Sequence, residues 1–243
     1  MTAVGVVVTP KGVILRTVLP STLNPAQRAA WVALENGRWG LVIGDVSGKG
    51  VPAALFMAKA ISEFRREDKR GRAAGDLCAA LNRACMSDGA TGLFLTLIYA
   101  VLDPAARRVE FAVAGHEPMI YYQGASRKAT LAGKEGGPPL GLFDEAAYDS
   151  QALEFNPGDF LLLITDGVRE LRSPEGHEFG MERLCGLVEK YGREGVDADA
   201  IIRDLRREWS AFQSSAPAHD DRTVICLRFP KMSSDLLTTG SSR

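Results

Sequence analysis

Three apolar runs of strand length punctuate the chain: Arg38–Gly44 (RWGLVIG), Leu93–Leu102 (LFLTLIYAVL) and Phe160–Thr165 (FLLLIT). Each is closed by turn or polar residues, the pattern of a strand buried or half-buried in a sheet. Arg108–Ala114 (RVEFAVA) alternates instead and follows Asp103–Pro104, so it predicts a hairpin with Leu93–Leu102. Thr223–Phe229 (TVICLRF) predicts a last strand. Helical spacing intervenes twice. Pro52 suits a first helical turn, and Ala53, Met57, Ile61 and Phe64 follow on one face. Leu77, Leu81 and Cys85, with Cys78 beside them, predict a second helix over Ala73–Met86. Met181–Tyr191 and Asp197–Phe212 predict two late helices, with Trp209 and Phe212 as core residues. Gly124–Gly137 reads as a surface loop. Residues 231–243, polar and small, read as a flexible C-terminal tail, which leaves one folded domain over residues 1–230.

The order is strands, two helices, strands, then helices, without regular strand–helix alternation. It predicts an α+β fold of antiparallel sheets with helices packed outside, not a doubly wound parallel sheet. With 243 residues, 46% of them hydrophobic, the chain can build a core without disulfides or a structural metal. Its 29 basic residues against 30 acids exclude a strongly basic nucleic-acid binder as the default. No apolar run approaches the ~18 residues of a membrane span. The opening MTAVGVVVTPKG lacks a basic n-region and a cleavage site, so a cytoplasmic protein is expected. Cys78, Cys85, Cys185 and Cys226 form no CxxC pair and read as buried free thiols. Glu63–Arg72 mixes five basic residues with three acids, a solvated helix end and loop or a docking surface for an acidic partner.

Residues 44–50, GDVSGKG, lie between a strand and a helix. They do not form a P-loop: three residues separate Gly44 from Gly48, and Gly50 stands where Ser or Thr should follow the lysine. What remains is Asp45 at a strand end on a glycine turn, with a solvated Lys49 beside it. Asp166, followed by Gly167, ends a second apolar run, and Asp220 and Asp221 precede a third. Carboxylates so placed suit hard cations such as Mg²⁺ or Mn²⁺. His116, His177 and His219 are too scattered to favour zinc, and no cysteine has the arginine six positions on that a tyrosine-phosphatase loop requires.

Six blocks, GDVSGKGVPAALFMA, TLIYAVLD, VAGHEPMIYY, GGPPLGLF, NPGDFLLLITDGVRE and DDRT, occur in this order over roughly residues 12–229. Together they resemble the SpoIIE/RsbU-type serine/threonine phosphatases of the metal-dependent, protein phosphatase 2C-like (PPM) superfamily. The resemblance implies a four-layer α-β-β-α sandwich, two antiparallel β-sheets flanked by helices. It implies a two-metal site holding Mn²⁺ or Mg²⁺ about 3.5–4 Å apart, with direct in-line attack of activated water on phosphoserine or phosphothreonine. Carried over by motif, Asp45 bridges both metals, the Val46 carbonyl completes one shell, and Asp166 and Asp220 bind the second-side metal, with Asp221 the alternative to Asp220. The implied partner is a phosphoprotein, a STAS-domain anti-sigma-factor antagonist.

One block departs. The family's GGDxYD segment should fall near Pro25–Ala30, where this chain reads PAQRAA, so Gln27 and Ala30 stand at the two acid positions. Two dications held by three carboxylates leave positive charge uncompensated, so one metal should bind weakly. Two expectations follow: a phosphatase needing high metal, or a catalytically impaired pseudophosphatase that binds a phosphoprotein or partner. His116 reads as a phosphate contact, as a proton donor to the leaving serine, or as an imidazole shaping its turn. His219 reads as an outer partner of a metal ligand or as an exposed loop residue.

Overall fold

The apolar runs lack a polar face because each central strand is covered on both sides. The computed structural model describes residues 2–9, 12–18, 27–68, 72–87, 92–217 and 222–229. Along them run strands β1 (Thr2–Thr9), β2 (Gly12–Val18), β3 (Gln27–Ala33) and β4 (Trp39–Val46). Helices α1 (Val51–Asp68) and α2 (Ala74–Met86) follow. Then come β5 (Leu95–Asp103), β6 (Arg108–Ala114), β7 (Met119–Gln123), β8 (Lys128–Ala132), β9 (Gln151–Glu154) and β10 (Phe160–Ile164). The chain closes with α3 (Asp166–Arg169), α4 (Met181–Glu194), α5 (Ala198–Gln213) and β11 (Thr223–Arg228). One sheet has the order β2-β1-β11-β10-β7-β8 and the other β3-β4-β5-β6-β9. Every pairing between these strands is antiparallel except β1 with β11. That parallel pair joins the two ends of the chain, and the whole domain serves as its crossover.

Period-two alternation sorts the side chains into three apolar layers. Leu41, Ile43, Ile98, Ala100, Leu161, Leu163, Ile225 and Leu227 meet between the sheets. Val42, Leu97 and Tyr99 face outward against Met57, Phe64, Leu77 and Leu81 of α1 and α2. Phe160, Leu162, Ile164 and Cys226 face the other way, against Leu184, Val188, Leu205 and Trp209 of α4 and α5. The result is the four-layer α-β-β-α sandwich.

The predicted strands and helices all form, with ends shifted by one to three residues. The hairpin pairs Leu102 with Val109 and Asp103 with Arg108, and the Asp103 carboxylate accepts from the Ala106 amide at 2.8 Å. Gly124–Gly137 is a correction to the loop reading, because it contains β8, paired with β7 through Tyr122 and Ala129. KATLA is short and carries only one large apolar residue, so no periodicity announced it. Within the described part of the charged run, Glu67 departs from the solvated reading, being buried against Arg72 at 3.0 Å and Arg66 at 3.4 Å. Cys78, Cys85 and Cys226 are buried free thiols, whereas Cys185 is half-buried. The tail beyond 230 lies outside the described residues.

Two glycines of α4 separate propensity from packing. A Cβ on Gly186 meets nothing within 4 Å, whereas one on Gly192 would lie 2.1 Å from the buried Tyr122 ring. Gly186→Ala should therefore raise unfolding stability by about 0.5–1 kcal/mol, the helix-propensity gain. Gly192→Ala should lower it by about 1–3 kcal/mol, because the ring cannot yield without disturbing the core. Urea unfolding of both variants checks the contrast.

Candidate active site

Asp45 is the next-to-last residue of β4 and has the same strand parity as Leu41 and Ile43, whose side chains lie between the sheets. The core layer thus ends on a half-buried carboxylate. The following turn is pinned both ways to β5: the Ser47 amide donates to the Phe94 carbonyl, and the Phe94 amide donates to Ser47 Oγ, each at 2.9 Å. Gly48 and Gly50 take φ of 88° and 80°, left-handed values that suit glycine and let the chain turn directly into α1. Val46 is buried, and Lys49 is exposed on this turn.

On the facing sheet, β10 ends at Ile164, Thr165 is buried, and Asp166 opens the short α3. Thr165 and Thr223 tie β10 to the start of β11: the Thr165 amide donates to the Thr223 carbonyl at 3.1 Å, and the Thr223 amide donates to Thr165 Oγ1 at 3.0 Å. Asp166 Oδ1 accepts from the amide of the buried Gly167 at 2.8 Å. Arg169 on the same helix donates from Nε to Glu117 at 3.0 Å and also pairs with Glu170 and Glu178. These carboxylates outweigh desolvation and raise the guanidinium pKa.

His116 joins the two halves. It follows β6 through Gly115, whose positive φ of 63° and close approach to Pro139 leave no room for a Cβ. The ring is buried, with Nδ1 3.0 Å from Thr96 Oγ1. Thr96 lies opposite Asp45 in register, and its hydroxyl donates to the Asp45 main-chain carbonyl at 3.3 Å. Burial pushes the His116 pKa down to about 4, although the Ile164 main chain favours the charged ring. The site thus brings Asp45, Val46, Asp166, Gly167 and His116 to one end of the sandwich.

Other expected residues fall elsewhere. His177 is exposed. His219, Asp220 and Asp221 lie outside the described residues. Gln27 pairs with Asp45 across β3 and β4, whereas Ala30 pairs with Val42, which packs under the helices. Among the described residues no group of three or more His, Cys, Asp or Glu could by itself hold a metal. The donor set does fit a hard divalent cation, since Asp45 and Asp166 offer carboxylate oxygens and no thiol stands with them. Thr96, Glu117 and Arg169 were missed as site residues. The only trace of Thr96 was an aliphatic hydroxyl within the apolar run LFLTLIYAVL.

A sequence model of the family described as Stage II sporulation protein E (SpoIIE) matches residues 35–230. The chain belongs to the SpoIIE family. Protein IcfG of Synechocystis sp. is 29% identical over 194 residues, covering 68% of this chain and 30% of IcfG. Phosphoserine phosphatase RsbU of Bacillus subtilis is 27% identical over 196 residues, covering 77% of this chain and 55% of RsbU. The chain therefore spans only 30–55% of the length of these two curated relatives. The solved RsbU and RsbW domains of Rv1364c from Mycobacterium tuberculosis superpose with a TM-score of 0.73 at 21% identity, covering 96% of this chain and 62% of that one. The α+β sandwich is thus the PP2C-like fold of the SpoIIE/RsbU type. No described helix is long and apolar enough to cross a membrane.

His116 makes a pH prediction. Its folded pKa lies below the ordinary 6.5, so the unfolded chain takes up the proton first as pH falls. Stability should drop between about pH 6.5 and pH 4, by roughly 3 kcal/mol in total, and level off below. Urea titrations of wild type and His116→Gln over pH 4–7 test this. The wild-type curve should fall more steeply, and parallel curves would contradict a neutral buried imidazole.

Proposed function

We propose that this SpoIIE-family chain is a metal-dependent protein-serine/threonine phosphatase that hydrolyses phosphoserine or phosphothreonine esters. The observation that carries this reading is that Asp45 and Asp166 each stand at the end of a buried strand on a different sheet, with the neighbouring residues His116 and Glu117 bonded to Thr96 opposite Asp45 and to Arg169 on the helix of Asp166. The phosphoserine phosphatase name of RsbU supports the reaction class.

On this reading the Asp45 and Asp166 carboxylates, the Val46 carbonyl and Asp220, with Asp221 as its alternative, hold Mg²⁺ or Mn²⁺. A bound divalent cation supplies a Lewis acid that lowers the pKa of water and offsets charge on the phosphoryl oxygens. The chain's own contribution is placement. Strand ends fix Asp45 and Asp166 on facing sheets, and the apolar layer behind them lowers the local dielectric. Lys49, exposed on the adjoining turn, adds positive charge where a phosphoprotein would approach. The substrate is a phosphoserine on a STAS-domain anti-sigma-factor antagonist, and the enzyme is cytoplasmic, with residues 1–230 as the catalytic domain.

Gln27 favours a second reading. It lies opposite Asp45 in register, at the position where the family motif has an acid, and it brings no charge. The phosphatase then works with one weak metal, or the chain is a pseudophosphatase that binds a phosphoprotein without turnover.

Hydrolysis of a phosphoserine protein and of p-nitrophenyl phosphate across a Mn²⁺ titration separates these readings. The phosphatase reading expects metal-dependent turnover, with Asp166→Asn losing more than the ~10–100-fold that removal of an outer metal partner costs. Absence of turnover at millimolar Mn²⁺ from folded protein would favour the binding module. A further expectation concerns Gln27→Asp: restoring the charge should lower the Mn²⁺ needed for half-maximal activity by about tenfold, since affinity for hard cations follows ligand charge. An unchanged midpoint would show that residue 27 does not contribute to the site.

A further inference from the structure

We infer that the His116–Glu117 step is a positioning element that holds Asp45 and Asp166 in mutual register across the two sheets. The inference rests on the metal-site reading above. His116 acts toward Asp45. Thr96 Oγ1 lies 3.3 Å from the Asp45 main-chain carbonyl and 3.0 Å from His116 Nδ1, so one hydroxyl links the ring to the end of β4 in either tautomer. The ring itself is anchored by burial, with Nδ1 bonded to Thr96 and the Ile164 main chain also acting on it. The end of β4 is thereby fixed by a side-chain relay at the residue whose carboxylate faces the site.

Glu117 acts in the opposite direction. Its carboxylate accepts from Arg169 Nε at 3.0 Å, and Arg169 closes the single turn of α3 that begins with Asp166. A four-residue helix has little stability of its own, so a charge-assisted bond from outside sets where it sits. Glu117 and Arg169 are both partly buried, with side-chain exposures of 20% and 31%, which shelters the pair from full solvent screening. Adjacent residues of one loop therefore reach the two carboxylate-bearing elements, one on each sheet. Gly115, bonded to the Gly137 carbonyl at 2.8 Å and packed on Pro139, keeps that loop from sliding. Neither His116 nor Glu117 needs to touch metal or substrate to do this.

Mn²⁺ binding measured by electron paramagnetic resonance of the free ion, independent of turnover, tests the inference on the full chain. Thr96→Val and Glu117→Gln avoid replacing the buried ring. Each should weaken Mn²⁺ affinity by about tenfold, in the range known for outer partners of metal ligands, with Thr96→Ser retaining wild-type affinity. Thermal unfolding midpoints recorded alongside show that the weakened variants remain folded. Wild-type protein that binds Mn²⁺, with both variants within twofold of it, would overturn the positioning role and leave the phosphatase reading intact. Wild-type protein that binds no Mn²⁺ would overturn the metal-site reading and the inference with it.

Discussion

Covering both faces of the central strands is the constraint on which the rest of this structure depends. A strand such as FLLLI in β10 has no polar side to offer water, so one face must meet the other sheet and the other must meet helices. Leu161 and Leu163 pack against the residues of β4 and β5, while Phe160, Leu162 and Ile164 pack under α4 and α5. Two such sheets, stacked and capped, give four layers. Polar chemistry is thereby driven to the places where strands stop, and the carboxylates of Asp45 and Asp166 stand there.

Charge at such an end is costly unless something compensates it. Asp166 takes a local amide bond from Gly167, and the Asp45 carbonyl is held by Thr96. On the metal-dependent reading proposed above, a hard divalent cation would add to that compensation. Gln27 lies opposite Asp45 in the β3–β4 ladder.

Long buried elements were legible because their apolar pattern is driven by burial. β4, β5, β10 and helices α1, α2, α4 and α5 carry enough periodic residues to declare themselves. Short edge strands did not. β8 and β9 have one covered face and few large side chains, so KATLA and QALE resemble loop, and pairing with β7 and β6 is what makes them strands. Among the site residues, Asp45 and Asp166 were visible as acids abutting apolar runs. Thr96, Glu117 and Arg169 were not, because threonine in a strand and an ion pair 52 positions apart leave no local signature.

The sequence by itself determined which segments bury themselves, which acids interrupt them, and, through six ordered motifs, the family and its sandwich. Those are properties of local pattern and order along the chain. Only the tertiary structure decided that Thr96 lies against the Asp45 carbonyl, that His116 is buried between the sheets rather than exposed on its turn, and that Glu117 reaches the helix bearing Asp166. Such relations arise where strands distant in sequence end side by side. They depend on register and sheet stacking, which long-range packing sets and no local stretch of sequence encodes.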